Sequence, residues 1–333
     1  MIHSINDIKD KIKLQGRCAF YDKKLCIDWV GAGFEINFTG DFIRIFFETK
    51  AGSNPVYVYS ETDGIGHKTA ISNSNEVLIA DNLEYGVHNF KIMRITEVFS
   101  SADNIEDYLN ITAVEVDNDC EFMPFEKQIK PIIDFYGDSI TNAWASLADP
   151  DDEKRLGCDN DYTVSYAYLT AKALNAEARV CAVSGHGVKV TCDGKKDEPM
   201  KMFYNMKCRS VPVKMDFLPQ PDIAVIALGT NDAAGGANEL EFKQAANEFV
   251  KLVRNDAPNA KIIWVYGMMN DKFMPVLRKL INDLNEFDNN IYFLSIDRVK
   301  RENNETGAFG HPSKKGQLRI SKELVKFIKT LCK

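Results

Sequence analysis

The serine in Gly137-Asp138-Ser139 is the strongest candidate for chemistry in this chain. It follows the mostly apolar run Ile132–Tyr136, which is typical of a buried strand that turns into a helix. Open α/β sheets bind their ligands at the carboxyl ends of the strands. The peptide N–H groups that begin a helix can also hold a developing anion. Ser139 is therefore a candidate nucleophile, provided that a base removes its proton during attack.

His311 is the candidate base. The chain has five histidines, and His186 and His311 are the two in the half that contains Ser139. His311 stands between the last predicted strand and the last predicted helix, in a loop that a parallel sheet would place at the same edge as Ser139. A histidine before a proline is most often an ordinary loop residue, but a serine at the same edge favours a catalytic role.

Two further strand ends offer hydrogen-bond donors for an oxyanion. Gly185 follows the predicted strand Ala178–Val183, and a glycine lets a backbone N–H approach a ligand closely. Asn231 follows the predicted strand Ile223–Leu228, and its side-chain amide can donate. Each motif alone is typical of an ordinary turn. Together they favour an acyl-transfer site, where one such donor stabilises the transition state by about 2 to 4 kcal/mol.

A parallel sheet is needed to hold these side chains. From about residue 126, strand-like runs alternate with helical ones, as in a sheet with crossover helices. The predicted strands are Ile132–Tyr136, Ala178–Val183, Ile223–Leu228, Ile262–Tyr266 and Ile291–Ser295, and the predicted helices are Val164–Leu174, Glu239–Arg254, Pro275–Phe287 and residues 315–332. Two long irregular stretches, 149–161 and 188–221, are expected to shape a site, although a solvated surface loop fits the first stretch equally well.

The first part of the chain has a different periodicity. After a short amphipathic segment at residues 5–12, which is expected to form a helical turn or two, apolar and polar residues alternate with a period near two up to about residue 118. Turn residues separate these runs, as between Phe42–Phe47 and Val56–Tyr59. Many short strands without a long helix predict an all-β sandwich or barrel. The polar segment Asp119–Lys130 is expected to be a linker.

Length and charge limit the classes of function. A chain of 333 residues predicts two domains, placed at residues 1–125 and 126–333. The net charge of −7 argues against nucleic acid or an anionic membrane as the main partner, and no apolar run is long enough to span a bilayer. The amino terminus does not resemble a signal peptide. We therefore expect a cytoplasmic protein, or a secreted one if a signal peptide had already been removed.

No cofactor is expected. The eight cysteines follow no metal-ligand spacing, and neither a His/Asp metal pattern nor a phosphate-binding glycine loop is present. Free thiols are the favoured state of the cysteines, while a pair such as Cys18–Cys26 or Cys192–Cys208 stays open as a disulfide.

Taken together, these blocks resemble those of the SGNH/GDSL hydrolase superfamily. The matching residues are Gly137-Asp138-Ser139, Gly185, Gly229-Thr230-Asn231-Asp232 and His311, in the family's order across about residues 131–333. The resemblance implies a flavodoxin-like, three-layer α/β/α domain and an ester hydrolase. It implies that Ser139 is the nucleophile, that its N–H with Gly185 and Asn231 forms the oxyanion hole, and that His311 is the base.

The amino-terminal half extends this similarity. Trp29–Phe34 and Lys91–Glu97 resemble parts of the jelly-roll domain of carbohydrate esterase family two, whose members join such a β-sandwich to an SGNH domain. Members of that family remove acetyl groups from plant polysaccharides. The resemblance therefore implies an acetylated carbohydrate as the partner, such as xylan, glucomannan or an oligosaccharide, and leaves the oligomeric state undefined.

One position departs from the superfamily pattern. SGNH enzymes usually carry an aspartate three residues before the histidine, and here that residue is Ala308. A third group normally orients the imidazole. Since some family-two esterases use a backbone carbonyl, we predict a Ser139–His311 dyad with the Phe309 carbonyl as the orienting group. Asp138 is expected to support the turn instead.

Other functions remain as alternatives. An SGNH esterase, lipase or acyltransferase that acts on other small acyl esters would use the same residues. A carbohydrate-binding protein without catalysis is an alternative of another class, but it would have no use for Ser139, Asn231 and His311 together.

Overall fold

The chain folds into two compact units. A computed structural model describes residues 1–50, 55–73, 77–98, 107–126, 128–154 and 156–332. The first unit contains residues 1–129 together with 206–215, and the second contains residues 130–205 and 216–333. No pattern in the sequence predicts that residues 206–215 return to the first unit.

The first unit is built from two antiparallel sheets of six strands each. Its strands are β1 (Ile2–Ser4), β2 (Ile12–Gln15), β3 (Ala19–Tyr21), β4 (Lys24–Cys26), β5 (Gly33–Gly40), β6 (Ile43–Glu48), β7 (Val56–Thr62), β8 (Ile65–Ile71), β9 (Val77–Ala80), β10 (Gly86–Arg94), β11 (Asn110–Val116) and β12 (Phe122–Met123). One sheet has the order β3-β4-β11-β6-β9 with β1 beside β11, and the other has β12-β5-β10-β7-β8 with β2 beside β5.

Alternation of side chains explains why these strands pack as a sandwich. Phe34, Ile36 and Phe38 of β5 are fully buried, and the residues between them are partly exposed. Strand β6 shows the same pattern. Each sheet therefore buries one face, as the period of two predicts, and the all-β prediction is confirmed.

Two local predictions for this unit were wrong. Residues 5–11 form hydrogen-bonded turns, and Ile12 then begins β2, which pairs with β5. The predicted linker contains β12, which pairs with Phe38 and Asn37 of β5. The predicted linker is polar enough to look irregular in sequence, but its β12 is held by β5.

Asp28 holds the returning segment 206–215. Its Oδ2 accepts hydrogen bonds from the Ser210 N–H at 2.8 Å, the Ser210 hydroxyl at 2.7 Å and the Arg209 N–H at 3.0 Å. Cys208 is fully buried and packs against Cys26. A buried carboxylate with several N–H donors is a strong local anchor.

The second unit is a doubly wound α/β fold. Its sheet contains β13 (Ile132–Gly137), β14 (Glu177–Ala182), β15 (Ile223–Ala227), β16 (Lys261–Tyr266) and β17 (Ile291–Ser295). The strands are parallel, and their order is β14-β13-β15-β16-β17. This is the flavodoxin-like order, so the predicted fold is confirmed. The order reverses beside β13, which is where such folds form a ligand crevice.

Four of the five α-helices in the described part of this unit pack in two pairs. The five are α1 (Tyr166–Ala173), α2 (Thr230–Ala234), α3 (Glu239–Asp256), α4 (Met274–Asn285) and α5 (Lys314–Leu331). Helix α1 packs against α5, and α3 packs against α4. Right-handed crossovers place these two pairs on opposite faces of the sheet, because the chain moves from β13 to β14 in one direction and from β15 to β17 in the other.

The long stretch at residues 188–221 contains several buried side chains. Met200, Phe203 and Tyr204 are buried, and the Tyr204 ring stacks on Tyr136 with 5.2 Å between ring centroids. Much of this stretch therefore contributes to the core.

In the part of the chain that the structure describes, no helix has the length and apolar character needed to cross a membrane. The eight cysteines are free thiols.

Candidate active site

Ser139 lies just past the end of β13, with only 6 % of its surface exposed. Asp138 shapes the turn, because its Oδ1 accepts a hydrogen bond from the Ile140 N–H at 3.0 Å. The Ser139 carbonyl accepts one from the Trp144 N–H at 2.9 Å. These bonds hold the serine on a rigid turn at the carboxyl edge of the sheet.

His311 is brought to Ser139 across 172 residues of sequence. Its Nε2 lies 2.8 Å from Ser139 Oγ, the distance that proton transfer between the two groups requires. The loop around it is closed on itself, since the Gly307 N–H donates to the His311 carbonyl at 2.7 Å and the His311 N–H donates to the Ala308 carbonyl at 3.1 Å. Phe309 within this loop has a left-handed backbone, with φ of 55°.

Gln317 links the histidine loop to the serine turn. It is fully buried on α5, and its Nε2 donates to the Ile140 carbonyl at 2.9 Å. Its Oε1 accepts from the Tyr166 N–H at 2.8 Å. Because α5 begins three residues after His311, this side chain ties the histidine loop to the turn that carries Ser139.

The side chain of Asn231 lies between the two other candidate oxyanion contributors. It sits in the short helix α2 after β15, and its Nδ2 donates to Asp138 Oδ2 at 3.0 Å and to the His186 carbonyl at 3.1 Å. Gly185 has φ of 79° and precedes His186 in the turn after β14. The structure thus places Ser139, Gly185 and Asn231 at neighbouring ends of three adjacent strands.

Asp232 holds the loop that follows Gly185. This carboxylate is fully buried and accepts hydrogen bonds from the N–H groups of Val188 at 2.9 Å, Lys189 at 2.7 Å and Val190 at 3.1 Å. Burial raises the pKa of Asp232, and the three N–H donors oppose that rise. The residue beside Asn231 therefore organises the loop that follows β14, two strands away in the sheet.

Ala308 is fully buried and offers no carboxylate to His311. Glu305, an acid earlier in the same loop, is engaged elsewhere. Its Oε1 accepts from Arg319 Nε at 2.9 Å, and its Oε2 accepts from the Lys300 N–H at 3.1 Å. Orientation of His311 by the Phe309 carbonyl stays a prediction.

His186 is the other histidine near this edge of the sheet. Its Nδ1 lies 2.9 Å from the Ser184 carbonyl and its Nε2 lies 3.4 Å from Glu198 Oε2. These contacts suit a structural side chain that keeps the turn after β14 in shape. Among the described residues, no group of His, Cys, Asp and Glu could hold a metal ion.

Sequence reasoning missed three residues of this site. Trp144 packs on the His311 ring with 4.4 Å between ring centroids, and Asp232 and Gln317 make the contacts given above. Asp232 follows Asn231 directly, and Trp144 lies five residues after Ser139, so proximity to a motif was the available signal. Gln317 carries no such signal, because it looks like an ordinary polar residue of a helix.

A protein-family model matches residues 135–319, and its description is the GDSL-like lipase/acylhydrolase family. The cellulase/esterase CelE of Acetivibrio thermocellus is 25 % identical over 274 residues, which is 80 % of this chain and 33 % of that protein. The chain therefore spans about a third of the length of that relative.

Solved structures resemble both units. The acetyl xylan esterase Est2A of Butyrivibrio proteoclasticus has a TM-score of 0.88 and 24 % identity over 100 % of this chain and 99 % of that one. A family two carbohydrate esterase from Clostridium thermocellum in complex with cellohexaose has a TM-score of 0.88 and 23 % identity over 96 % of this chain and 99 % of that one.

At these identities the two structures establish a shared fold, and the predicted resemblance to carbohydrate esterase family two is confirmed in that respect. The family model covers more than half of the chain and contains Ser139, Asn231 and His311. The chain therefore belongs to the GDSL-like lipase/acylhydrolase family.

Proposed function

We propose that this chain is a serine esterase that removes acetyl groups from carbohydrate through an acyl-enzyme. The observation that carries the proposal is the contact of 2.8 Å between His311 Nε2 and Ser139 Oγ at the carboxyl edge of a parallel sheet. A serine hydroxyl that contacts an imidazole and lies beside amide donors is the arrangement that acyl transfer requires.

His311 acts first as a general base in this proposal. Its Nε2 takes the proton of the Ser139 hydroxyl while Oγ attacks the carbonyl carbon of the acetyl ester. The electron pair of the carbonyl moves onto its oxygen and gives a tetrahedral oxyanion. His311 is then an imidazolium, which needs a stable orientation and a compensated charge.

The oxyanion is held by the Ser139 N–H, the Gly185 N–H and the side-chain amide of Asn231. In the structure Asn231 donates to Asp138 and to the His186 carbonyl, so its amide is already oriented between the two strand ends. When the oxyanion forms, one of these N–H groups is shared between its present acceptor and the oxyanion. This preorganisation is the source of the rate effect that donors of this type supply.

The second half of the reaction reverses these roles. His311 gives its proton to the departing sugar oxygen as the bond between that oxygen and the acyl carbon breaks, and the acetyl group stays on Ser139 Oγ. A water molecule that loses a proton to His311 then attacks the acetyl-serine. Acetate leaves, and the serine recovers its proton.

A carbohydrate substrate is supported by the relatives. Their names describe a cellulase/esterase and an acetyl xylan esterase, and the third is a carbohydrate esterase with bound cellohexaose. The exposed ring of Phe309 lies in the loop of His311, beside the catalytic pair. Aromatic faces at a site of this kind suit the apolar faces of sugar rings better than a long acyl chain.

Release of acetate tests this function. Wild type, Ser139→Ala and His311→Ala are compared on 4-nitrophenyl acetate and on a panel of acetylated xylan, acetylated glucomannan and short acetylated oligosaccharides. We expect turnover by the wild type and a loss of at least about 1,000-fold in both variants. Ser295→Ala, which removes an exposed serine hydroxyl at the end of β17 in the same sheet, is the matched control and should keep full activity.

Mass spectrometry of the quenched wild-type enzyme should show one added acetyl group on the peptide that contains Ser139. Undiminished turnover in Ser139→Ala would contradict the serine mechanism. Binding of the oligosaccharides without release of acetate by the wild type would identify a carbohydrate-binding protein instead. Transfer of acetyl to an added alcohol in preference to water would identify an acyltransferase.

A further inference from the structure

The geometry around His311 points to a role for Trp144 that builds on the serine mechanism proposed above. We propose that Trp144 is a positioning residue for the base. Its indole face holds the imidazole toward Ser139 and stabilises the imidazolium that forms while His311 carries the serine proton.

The two rings are in direct contact. Their centroids are 4.4 Å apart with an interplanar angle of 47°, and the Phe309 ring packs on the indole with 5.4 Å between centroids. A cation within about 6 Å of an indole centroid is attracted by the negative face of the ring. The neutral imidazole gains little from this attraction, so the contact favours the charged form that exists between attack and departure of the alcohol.

The backbone on both sides of Trp144 is constrained. Ala143 and Ala145 have φ of 55° and 52°, and both are fully buried. Left-handed backbone is costly for residues other than glycine, and it persists where surrounding contacts hold it. The Ala145 N–H donates to Asn160 Oδ1 at 2.8 Å, and the Trp144 N–H donates to the Ser139 carbonyl. The indole is therefore fixed relative to the nucleophile.

The segment around Trp144 also forms hydrogen bonds and packing contacts with the loop of His311. The Ser146 hydroxyl donates to the Pro312 carbonyl at 2.7 Å, and the Lys314 N–H donates to the Ser146 carbonyl at 3.1 Å. On the other side of the histidine, Ala145 packs with the buried Ala308. Gly307 lies so close that an added Cβ would stand 2.4 Å from the Ala145 carbonyl oxygen. Contacts on both sides of His311 thus hold its loop beside the segment that carries Trp144.

This arrangement has a chemical reason. A carboxylate commonly orients the histidine and balances its charge in a serine hydrolase, and the position from which the superfamily usually supplies one is Ala308. An indole face supplies part of that charge balance and prevents the imidazole from rotating out of line. Trp144 acts through His311 and need not touch the reacting atoms.

Two substitutions of Trp144 distinguish the effect of an aromatic face from the effect of side-chain volume. Trp144→Phe keeps an aromatic face, while Trp144→Leu keeps apolar volume without one. On acetylated oligosaccharide we expect Trp144→Leu to lower kcat about tenfold and Trp144→Phe to lower it by less than about threefold, with KM unchanged in both. Phe287→Leu, which removes an aromatic ring that is 90 % exposed in the same unit, should leave kcat unchanged.

Fluorinated tryptophan at position 144 keeps the shape of the side chain and weakens the negative ring face, so it tests the idea without disturbing the fold. We expect kcat to fall stepwise with each added fluorine. Equal kcat across the fluorinated series, or equal losses in the Phe and Leu variants, would overturn the proposal. A raised KM with unchanged kcat would overturn it too, since that result assigns Trp144 to substrate binding.

Failure of this proposal is distinct from failure of the proposed function. Loss of turnover in Ser139→Ala establishes the serine mechanism independently, and the Trp144 variants are compared with the wild type only on that activity.

Discussion

The side-chain amide of Asn231 joins Asp138 to the His186 carbonyl, at 3.0 Å and 3.1 Å respectively. One side chain thereby connects the turn that precedes the nucleophile with the turn that contains Gly185. Asp138 uses its other oxygen to accept from the Ile140 N–H. The acid of the Gly-Asp-Ser motif is thus placed to orient one donor of the candidate oxyanion hole, the Asn231 amide, and to hold the turn that carries Ser139.

Asp138→Ala should lower kcat about 100-fold, because it leaves both N–H groups without their acceptor and allows the Asn231 amide to rotate. Asp138→Asn should also be impaired, since its own amide N–H₂ would face one of the two donors. Steady-state kinetics on 4-nitrophenyl acetate measure the change. Asp271→Ala, an exposed acid in the loop after β16, serves as the control, and wild-type kcat in both Asp138 variants would refute the role of this contact.

Asp232→Asn should lower both stability and kcat. An asparagine keeps one acceptor oxygen but turns an N–H₂ group toward one of the three N–H donors of residues 188–190. We expect a loss of about 2 kcal/mol in the free energy of unfolding, measured with urea. Asp197→Asn changes an exposed acid of the same loop and should have no effect; an equal loss in that control would show that the contacts of Asp232 are not responsible.

Glu305→Gln tests whether a displaced acid orients His311. The carboxylate is engaged by Arg319 and by the Lys300 N–H, so its neutralisation should cost about 2 kcal/mol of stability through the broken ion pair. We expect kcat at a temperature well below unfolding to stay at the wild-type value. A loss of kcat as large as that of His311→Ala would instead assign the third catalytic role to Glu305.

The β-sandwich should become less stable as the pH rises above about 6.5. Burial lowers the pKa of His88, but its hydrogen bonds to Asp63 Oδ2 at 2.6 Å and to the Glu84 carbonyl at 2.8 Å outweigh burial and raise this pKa above its ordinary value of 6.5. The folded state therefore binds this proton more tightly than the unfolded state does. The stabilisation is complete below about pH 6.5 and is lost as the pH rises through the folded-state pKa.

The free energy of unfolding of the first unit, measured with urea between about pH 6 and pH 9, reports how its stability depends on the His88 proton. His88→Gln should remove it, and His67→Gln, which changes an exposed histidine of the same unit, should retain it. A wild-type profile that does not fall above about pH 6.5 would contradict the assignment.

Most secondary structure was predictable because each element carries its own periodic signal. Strand β13 is buried along its whole length, and its sequence is correspondingly apolar up to Gly137. Strand β5 alternates between buried and partly exposed residues, as its sequence does. Helix α3 begins at Glu239 and ends at Asp256, within two residues of the predicted bounds. Such signals are local, so one sequence is enough to read them.

The errors share a cause that is not local. Residues 5–11 look like a helical turn and β12 looks like a linker, but Ile5 donates a backbone hydrogen bond to Thr112 and β12 pairs with β5. Residues 206–215 join the first unit through Asp28, which is about 180 residues earlier in the chain. No window of sequence around these segments contains the partner that decides their conformation.

The sequence by itself determined the fold class, the succession of strands along the chain and the types of residue at each strand end. Hydrophobic period and motif chemistry are properties of neighbouring residues, so one sequence contains them. Only the tertiary structure decided that His311 Nε2 meets Ser139 Oγ, that Asp232 holds the loop after β14, and that Trp144 covers the imidazole. These contacts depend on distances between strand ends and loops, and the folded sheet alone sets such distances.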